Sequence, residues 1–152
     1  MRVGLAADHQ GIELKNLILS QLSRSDFDLF DYGAYSLNTE DDFPDFIIPM
    51  AEGIANGEIE RGIAICGSGV GACIAANKVR GVRAALISDL FSAQQGVEDD
   101  DMNVICIGSR CVTGSFGTQL IQSFLAARFS ALPRFKRRLE KISKFEKSEV
   151  QS

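Results

Sequence analysis

One stretch limits the folds open to this chain more than any other. It is Ile63-Ala-Ile-Cys-Gly-Ser-Gly-Val-Gly-Ala72, an apolar run that breaks at a cysteine into a glycine-rich turn and continues as Cys73-Ile-Ala-Ala-Asn77. A short continuous apolar run bounded by such a turn has the pattern of a strand buried on both faces, which is how parallel sheets are built. A helix opening directly after it presents unpaired backbone N–H groups beyond the strand end, and these attract anions. Gly67, Gly69 and Gly71 allow the close backbone approach such a turn needs, while Cys66 and Ser68 put a thiol and a hydroxyl at its rim. The predicted unit is strand, anion- or oxyanion-handling turn, helix, with a nucleophile or base at the junction.

The rest of the chain repeats this alternation. Strands are predicted at Arg2–Ala7, Phe27–Asp31, Arg61–Cys66, Gly81–Ile87 and Asn103–Gly108. Between and after them, helices are predicted from Ile12 to Leu22, from Pro44 to Gly57, after the glycine turn to Lys78, from Leu90 to Val97, from Ser115 to Phe129, and from Arg134 to about Lys147. In the first helix Leu14, Leu17, Ile18, Gln21 and Leu22 share one side at helical spacing, and Pro44 suits the first turn of the second. The acidic block Glu98–Asp101 is expected to stop the fourth helix as a polar loop. Strand–helix alternation implies a Rossmann-like three-layer α/β sandwich, a five-stranded parallel sheet with helices on both faces. All 152 residues fit one domain.

Charge and cysteine usage exclude several classes. A net charge of -4 argues against a nucleic-acid binder, whose footprint would be basic. No apolar run approaches the roughly 20 residues of a spanning helix, and the opening Met1–Ala6 passes into Asp8-His9 too soon for a signal peptide, so cytoplasmic residence is expected with no membrane partner. Cys66, Cys73, Cys106 and Cys111 include no C-x-x-C pair and the chain has one histidine, so neither a metal site nor a disulfide framework is expected. Buried, reduced thiols are expected for all but Cys66. The basic last segment, with Arg134, Lys136, Arg137, Arg138 and Lys141, reads by default as a solvated face.

In an open α/β sheet, ligands sit outside the carboxyl ends of the strands. Asp8 and His9, Cys66 to Gly71, and Ser109-Arg110 follow three of the predicted strands and are expected to converge there. The last helix adds Arg134 and Arg138, an i,i+4 pair able to grip one phosphate. Each has an ordinary alternative: a buried small cysteine, an aspartate or histidine capping a helix, solvated arginines.

Taken together, Ala7-Asp8-His9, Asp42-Phe43-Pro44, Cys66-Gly-Ser-Gly-Val-Gly71, Ala76-Asn-Lys78, Gly108-Ser-Arg110 and the spaced arginines resemble, in order and spacing, the type B ribose-5-phosphate isomerases and their galactose-6-phosphate isomerase relatives. The resemblance runs from Met1 to about Ile142. It implies a cofactor-independent aldose–ketose isomerase of phosphorylated sugars, working through a cis-enediol in sites shared between the subunits of a homodimer or a dimer of dimers. On this resemblance Cys66 is the base, its thiolate favoured by the helix N-terminus. Ser68 bonds the reacting oxygen, and the backbone N–H groups of Gly67, Gly69, Val70 and Gly71 stabilise the enediolate. Asp8 holds sugar hydroxyls, and His9, Arg134 and Arg138 hold the phosphate with help from Arg110 of the other subunit. Some members place a glutamate base just after the glycine turn; here that position is Ala72.

The chain departs from the family where His-Asn-Asp/Glu-x-Asn is usual and Asp99-Asp-Asp-Met-Asn103 stands instead. Asp99 replaces the histidine that opens the sugar ring, and Asp100 replaces its substrate-binding asparagine neighbour. Either Asp99 serves as acid or base, or the step is lost. A tetrose phosphate is linear and needs no ring opening, so the change also fits a different substrate. Two further readings are a non-catalytic sugar-phosphate binder and a dinucleotide site. The second rests on Gly67-Ser-Gly-Val-Gly-Ala72 as G-x-G-x-x-A, with Asp89 for a ribose hydroxyl. Against it, the motif follows the third strand and no second domain exists.

Overall fold

The computed structural model describes residues 1–22 and 24–148. Five strands, β1 (Arg2–Ala7), β2 (Asp28–Asp31), β3 (Arg61–Cys66), β4 (Ala84–Leu86) and β5 (Val104–Gly108), alternate with α1 (Ile12–Gln21), α2 (Pro44–Ala55), α3 (Val70–Ala76), α4 (Leu90–Asp100) and α5 (Gly114–Ala126), and α6 (Pro133–Ser148) closes the chain. The strands pair in the order β2-β1-β3-β5-β4, all parallel, with Leu5 beside Ile63 and Ile63 beside Ile105. The expected sandwich is therefore present. The chain winds outward from β1 to β2, then restarts on the other side with β3, so the crevice between β1 and β3 is the switch point at which such sheets bind ligands.

Alternation along the strands divides the core. On one face Leu5, Ile63, Ile65, Ile105 and Ile107 pack beneath α1, α4 and α5 with Ile18, Val97 and Phe124. On the other, Ala6, Ala64 and Cys106 meet Ile47 and Met50 of α2 and Ala72 and Ala76 of α3. Small strand residues on this second face let α2 and α3 lie close. Each large side chain so enclosed contributes roughly 1.5–3 kcal/mol against exposure.

Several boundaries move for identifiable reasons. The helix expected to stop at Val97 runs on to Asp100: Asp89 caps its start by accepting the Ser92 N–H at 2.7 Å, and Asp101 ends it in a left-handed turn held by Arg83 at 2.9 Å. The acidic block is thus largely the last turn of α4 and not a loop. β4 shrinks from the expected seven residues to three, because Gly81 is in a turn at φ 83° and only β5 flanks this edge. α5 starts at Gly114 under a Thr113 cap and ends at Ala126, where the Arg61 guanidinium takes the carbonyls of Phe124 and Ala127. Cys111 is exposed and Cys73 half-buried, so the expectation of buried thiols holds for Cys106 but not for these two. Lys15, unremarked in the sequence, is wholly buried, its Nζ donating to Asp31 and to the Ala34 carbonyl at 2.6 Å each.

α6 lies across the amino end of the sheet. The Ser130 N–H and hydroxyl just before it bond the Glu98 carbonyl, and Glu146 near its end accepts the Gly81 N–H at 3.0 Å. Phe135 is its one buried residue among those described. No helix among the described residues is long and apolar enough to cross a membrane.

Candidate active site

The site grows from three junctions at the carboxyl ends of β1, β3 and β5. After β1, Asp8 is buried and its Oδ1 accepts the N–H groups of Gln10 and Gly11 at 3.0 and 3.2 Å, turning the chain into α1. Asp8 is therefore not the helix N-cap considered for it, since Gly11 takes that position without a side-chain cap; its carboxylate instead holds the turn ahead of α1 and is itself held in place. Next to it, the backbone N–H of His9 and its ring Nδ1 both meet Asp41 Oδ1, at 3.0 and 2.6 Å. This hydrogen bond raises the His9 pKa above 6.5, aided by the charges of Asp41, Asp8 and Glu40 and opposed by partial desolvation.

After β3, Cys66 is buried, and its Sγ accepts the Gly69 N–H at 3.2 Å. Gly69 takes φ 79° to open α3, and a Cβ there would meet the Gly108 nitrogen at 2.9 Å. The Val70 N–H goes to Ser68 Oγ at 3.2 Å. The expected row of enediolate donors is thereby narrowed, since Gly69 and Val70 already donate within the turn. Gly67 lies under Gln10, whose Oε1 an added Cβ would strike, and Phe43 covers Gly71, 2.7 Å from where a Cβ would stand. After β5, the Ser109 and Arg110 N–H groups bond the carbonyls of Cys66 and Gly67, and Ser109 Oγ donates to the Gln10 carbonyl at 2.7 Å. Asp8, His9, Cys66, the glycine turn and Arg110 are thus stitched together in one chain.

Beside this junction His9, Gln10, Glu13, Tyr35 and Arg110 line a cleft of about 530 Å³. The expectation that Arg110 comes from another subunit is corrected: it shares the cleft with His9 of its own chain. Leu17, expected on the apolar side of α1, instead lines an adjoining hollow with Leu14 and Arg110.

The remaining candidates lie at the opposite end of the sheet. α4 returns from the carboxyl end of β4 to the amino end of β5, carrying Asp99 and Asp100 with it. Asp99 Oδ2 accepts from Gln95 at 2.9 Å, and Asp100 edges a hollow along β4 with Arg83 and Met102. Arg134 and Arg138 flank Phe135, their guanidinium carbons 4.5 and 5.7 Å from its ring centroid. With six residues in β3, about 20 Å at ~3.3 Å per residue separates the two ends. Contrary to expectation, the last helix therefore does not add its arginines to the crevice of its own chain. Asp89, weighed as a ribose ligand, is the α4 cap.

Two features escape the sequence. Asp41 is one of three consecutive acidic residues in a polar loop, and nothing in its spacing links it to His9. Cys73 is brought down to about 6 by a hydrogen bond from the Cys106 thiol, against its desolvation, with help from the Leu86 backbone and the Asn77 amide; Cys106 is pushed up correspondingly. Ligand atoms of Asp8, His9 and Asp41 lie within 4.8 Å of one another. Nδ1 and Oδ1 are already bonded to each other, so the trio is a hydrogen-bonded cluster and not an open cation cage.

Fold and crevice define an α/β enzyme of the Rossmann-like kind, with a thiol-bearing glycine turn at its switch point and the His9 and Arg110 side chains alongside. The Ribose/Galactose Isomerase family model matches residues 3–142, and the chain belongs to that family. It is 40% identical over 144 residues, 94% of each chain, to a probable ribose-5-phosphate isomerase B of Mycoplasma genitalium. It is 33% identical over 152 residues to a D-erythrulose-4-phosphate isomerase of Pectobacterium atrosepticum, covering 98% of this chain and 97% of that one. A solved structure of ribose-5-phosphate isomerase B from Mycoplasma genitalium with bound ribulose-5-phosphate superposes with TM-score 0.90 at 39% identity over 96% of each chain. The resemblance carried by Asp8-His9 and the cysteine–glycine turn is borne out at the level of family and fold.

Proposed function

We propose that this chain is a cofactor-independent aldose–ketose isomerase of phosphorylated sugars, acting on pairs of the ribose 5-phosphate/ribulose 5-phosphate type, with Cys66 as the base. The observation that carries this reading is the Cys66 thiol at the end of β3, within 3.2 Å of the Gly69 N–H, beside a cleft lined by His9 and Arg110. As thiolate, Cys66 takes the proton from the carbon next to the carbonyl and returns it to the neighbouring carbon, while a proton passes from the hydroxyl oxygen of the first carbon to the carbonyl oxygen, so the enediol forms and collapses without any net loss or gain of atoms. Ser68, exposed at the rim, donates to the oxygen that gains charge, Asp8 orients the sugar hydroxyls, and His9 and Arg110 hold the phosphate dianion.

A homodimer with shared sites is part of the same reading. Asp99, Asp100, Arg134 and Arg138 stand at the opposite end of the sheet from Cys66 of their own chain, so a second copy is their route to the substrate. Val70, Ile74, Leu86, Leu90 and Phe91 expose apolar surface around the β4 edge, the kind of patch that subunits bury. α6 supplies the arginines for the partner's phosphate.

A tetrose phosphate is the second substrate, favoured by the similarity to a D-erythrulose-4-phosphate isomerase and by Asp99 at the ring-opening position. Exchange of the C2 proton of ribose 5-phosphate and of erythrose 4-phosphate with solvent tests both. Exchange that disappears in Cys66→Ala supports isomerisation by this thiol. A wild type that exchanges neither but is thermally stabilised by ribose 5-phosphate would be a sugar-phosphate binder instead. If Asp99→His gains activity on ribose 5-phosphate alone, the natural substrate is linear.

A further inference from the structure

Resting on the isomerase reading above, we propose that Asp41 is a positioning residue for the substrate phosphate: it pins the His9 ring at Nδ1 and thereby makes Nε2–H the donor offered to the phosphate in the cleft. A carboxylate can only accept, so Nδ1 carries the proton in this bond. The same oxygen also accepts the His9 backbone N–H, which fixes the residue as well as its ring. With Nδ1 engaged, Nε2 is the one nitrogen left for a ligand, the arrangement by which an outer partner sets which nitrogen of a histidine acts.

The setting of Asp41 marks it as more than a loop residue. Its side chain is only 8% exposed, and Oδ2 is enclosed with no hydrogen-bond partner among the described residues. The His9 ring, positive when protonated, is the basic side chain paired with it among the described residues. A buried carboxylate in that pairing directs its field at the ring. The groups facing His9 are Asp8 from its own turn, Asp41 and Glu40 from the loop before α2, and Glu13 of α1, Tyr35 and Arg110 around the cleft. Apart from Arg110, the charged members of this set favour the imidazolium.

The consequence is chemical. A phosphate monoester is largely a dianion above a pH of about 6, whereas an ordinary imidazole, with a pKa near 6.5, is losing its charge in the same range. Pairing with Asp41 moves the loss of that charge to higher pH, into the range in which the substrate is doubly charged.

The single histidine makes this directly readable, because one imidazole resonance reports the whole titration. In wild type the midpoint is expected above 6.5, and in Asp41→Asn it falls back toward that value. Asp41→Asn raises KM for ribose 5-phosphate at pH 8 by about tenfold, the lower end of what removal of an orienting partner costs, while kcat changes less than about twofold, and Asp41→Glu recovers part of the loss. An unchanged His9 midpoint, or a fall in kcat with KM unmoved, overturns the proposal. If wild type turns over no sugar phosphate, the isomerase reading fails and Kd for ribose 5-phosphate replaces KM. A Kd about tenfold weaker at pH 8 in Asp41→Asn then sustains the positioning role, and an equal Kd refutes it.

Discussion

Gly69→Ala tests the geometry of the turn most severely. Gly69 sits at φ 79°, where an L side chain costs about 1–2 kcal/mol. Its added Cβ would also stand 2.9 Å from the Gly108 nitrogen and from the Ile107 carbonyl carbon, and 2.5 Å from Leu86 Cδ1. Leu86 can rotate away, but the β5 backbone is held on both sides by paired strands, so overpacking adds about 1–3 kcal/mol. Gly81→Ala is the matched control, because Gly81 has φ 83° and nothing within 4 Å of an added methyl. The control should lose about 1–2 kcal/mol and Gly69→Ala about 2–5 kcal/mol. At roughly 2–4 °C per kcal/mol, Gly69→Ala melts about 4–20 °C lower. Urea unfolding at one fixed protein concentration measures both, with a constant m-value showing that the folded and unfolded states are otherwise unchanged. Equal losses in the two variants would refute the claim that β5 backbone closes on this turn.

Three further outcomes are expected. Cys73 should be alkylated by iodoacetamide with a pH midpoint near 6 while Cys106 stays unmodified, as peptide mass spectrometry would show; a midpoint near 9 would mean that the Cys106 and Asn77 contacts do not hold the thiolate. Mixing Cys66→Ala with Arg138→Ala, each inactive alone, should restore about a quarter of wild-type activity, because half of randomly formed dimers are hybrids with one intact shared site; no recovery would place the whole site in one chain. The His9–Asp41 pair raises the folded-state pKa of His9, so its stabilisation is complete below pH 6.5 and is lost as pH rises through the raised value. Asp41→Asn should therefore lower the melting temperature more at pH 6 than at pH 9, and an equal shift at both would exclude the charged pair.

The pattern of elements is legible because its signals are local. The run ending at Cys66 reads as a buried strand from its own composition, and α5 from the spacing of Leu120, Ile121, Phe124 and Leu125. The end of α4 is misread because four acidic residues suggest a loop, whereas burial of Ala93 and Val97 and the grip of Arg83 on Asp101 carry the helix on. The separation of Asp99 and Asp100 from Cys66 is available in principle. They precede β5, and in a parallel sheet whatever precedes a strand stands at the end opposite to whatever follows one.

By itself the sequence determined the parallel α/β sheet, the thiol in a glycine turn at the end of β3, and the company of Asp8 and His9 there. These follow from periodicity, from glycine's conformational freedom at Gly69, and from the rule that residues following parallel strands gather at one end. Only the tertiary structure decided that Asp41 closes on His9 across 32 positions, that Gly69 and Val70 engage their amides inside the turn, and that Arg134 and Arg138 stand away from their own chain's cleft. The physical reason is that each of these depends on the path of a loop or the landing point of a helix. Those are set by packing between distant segments and leave no periodic trace in the chain.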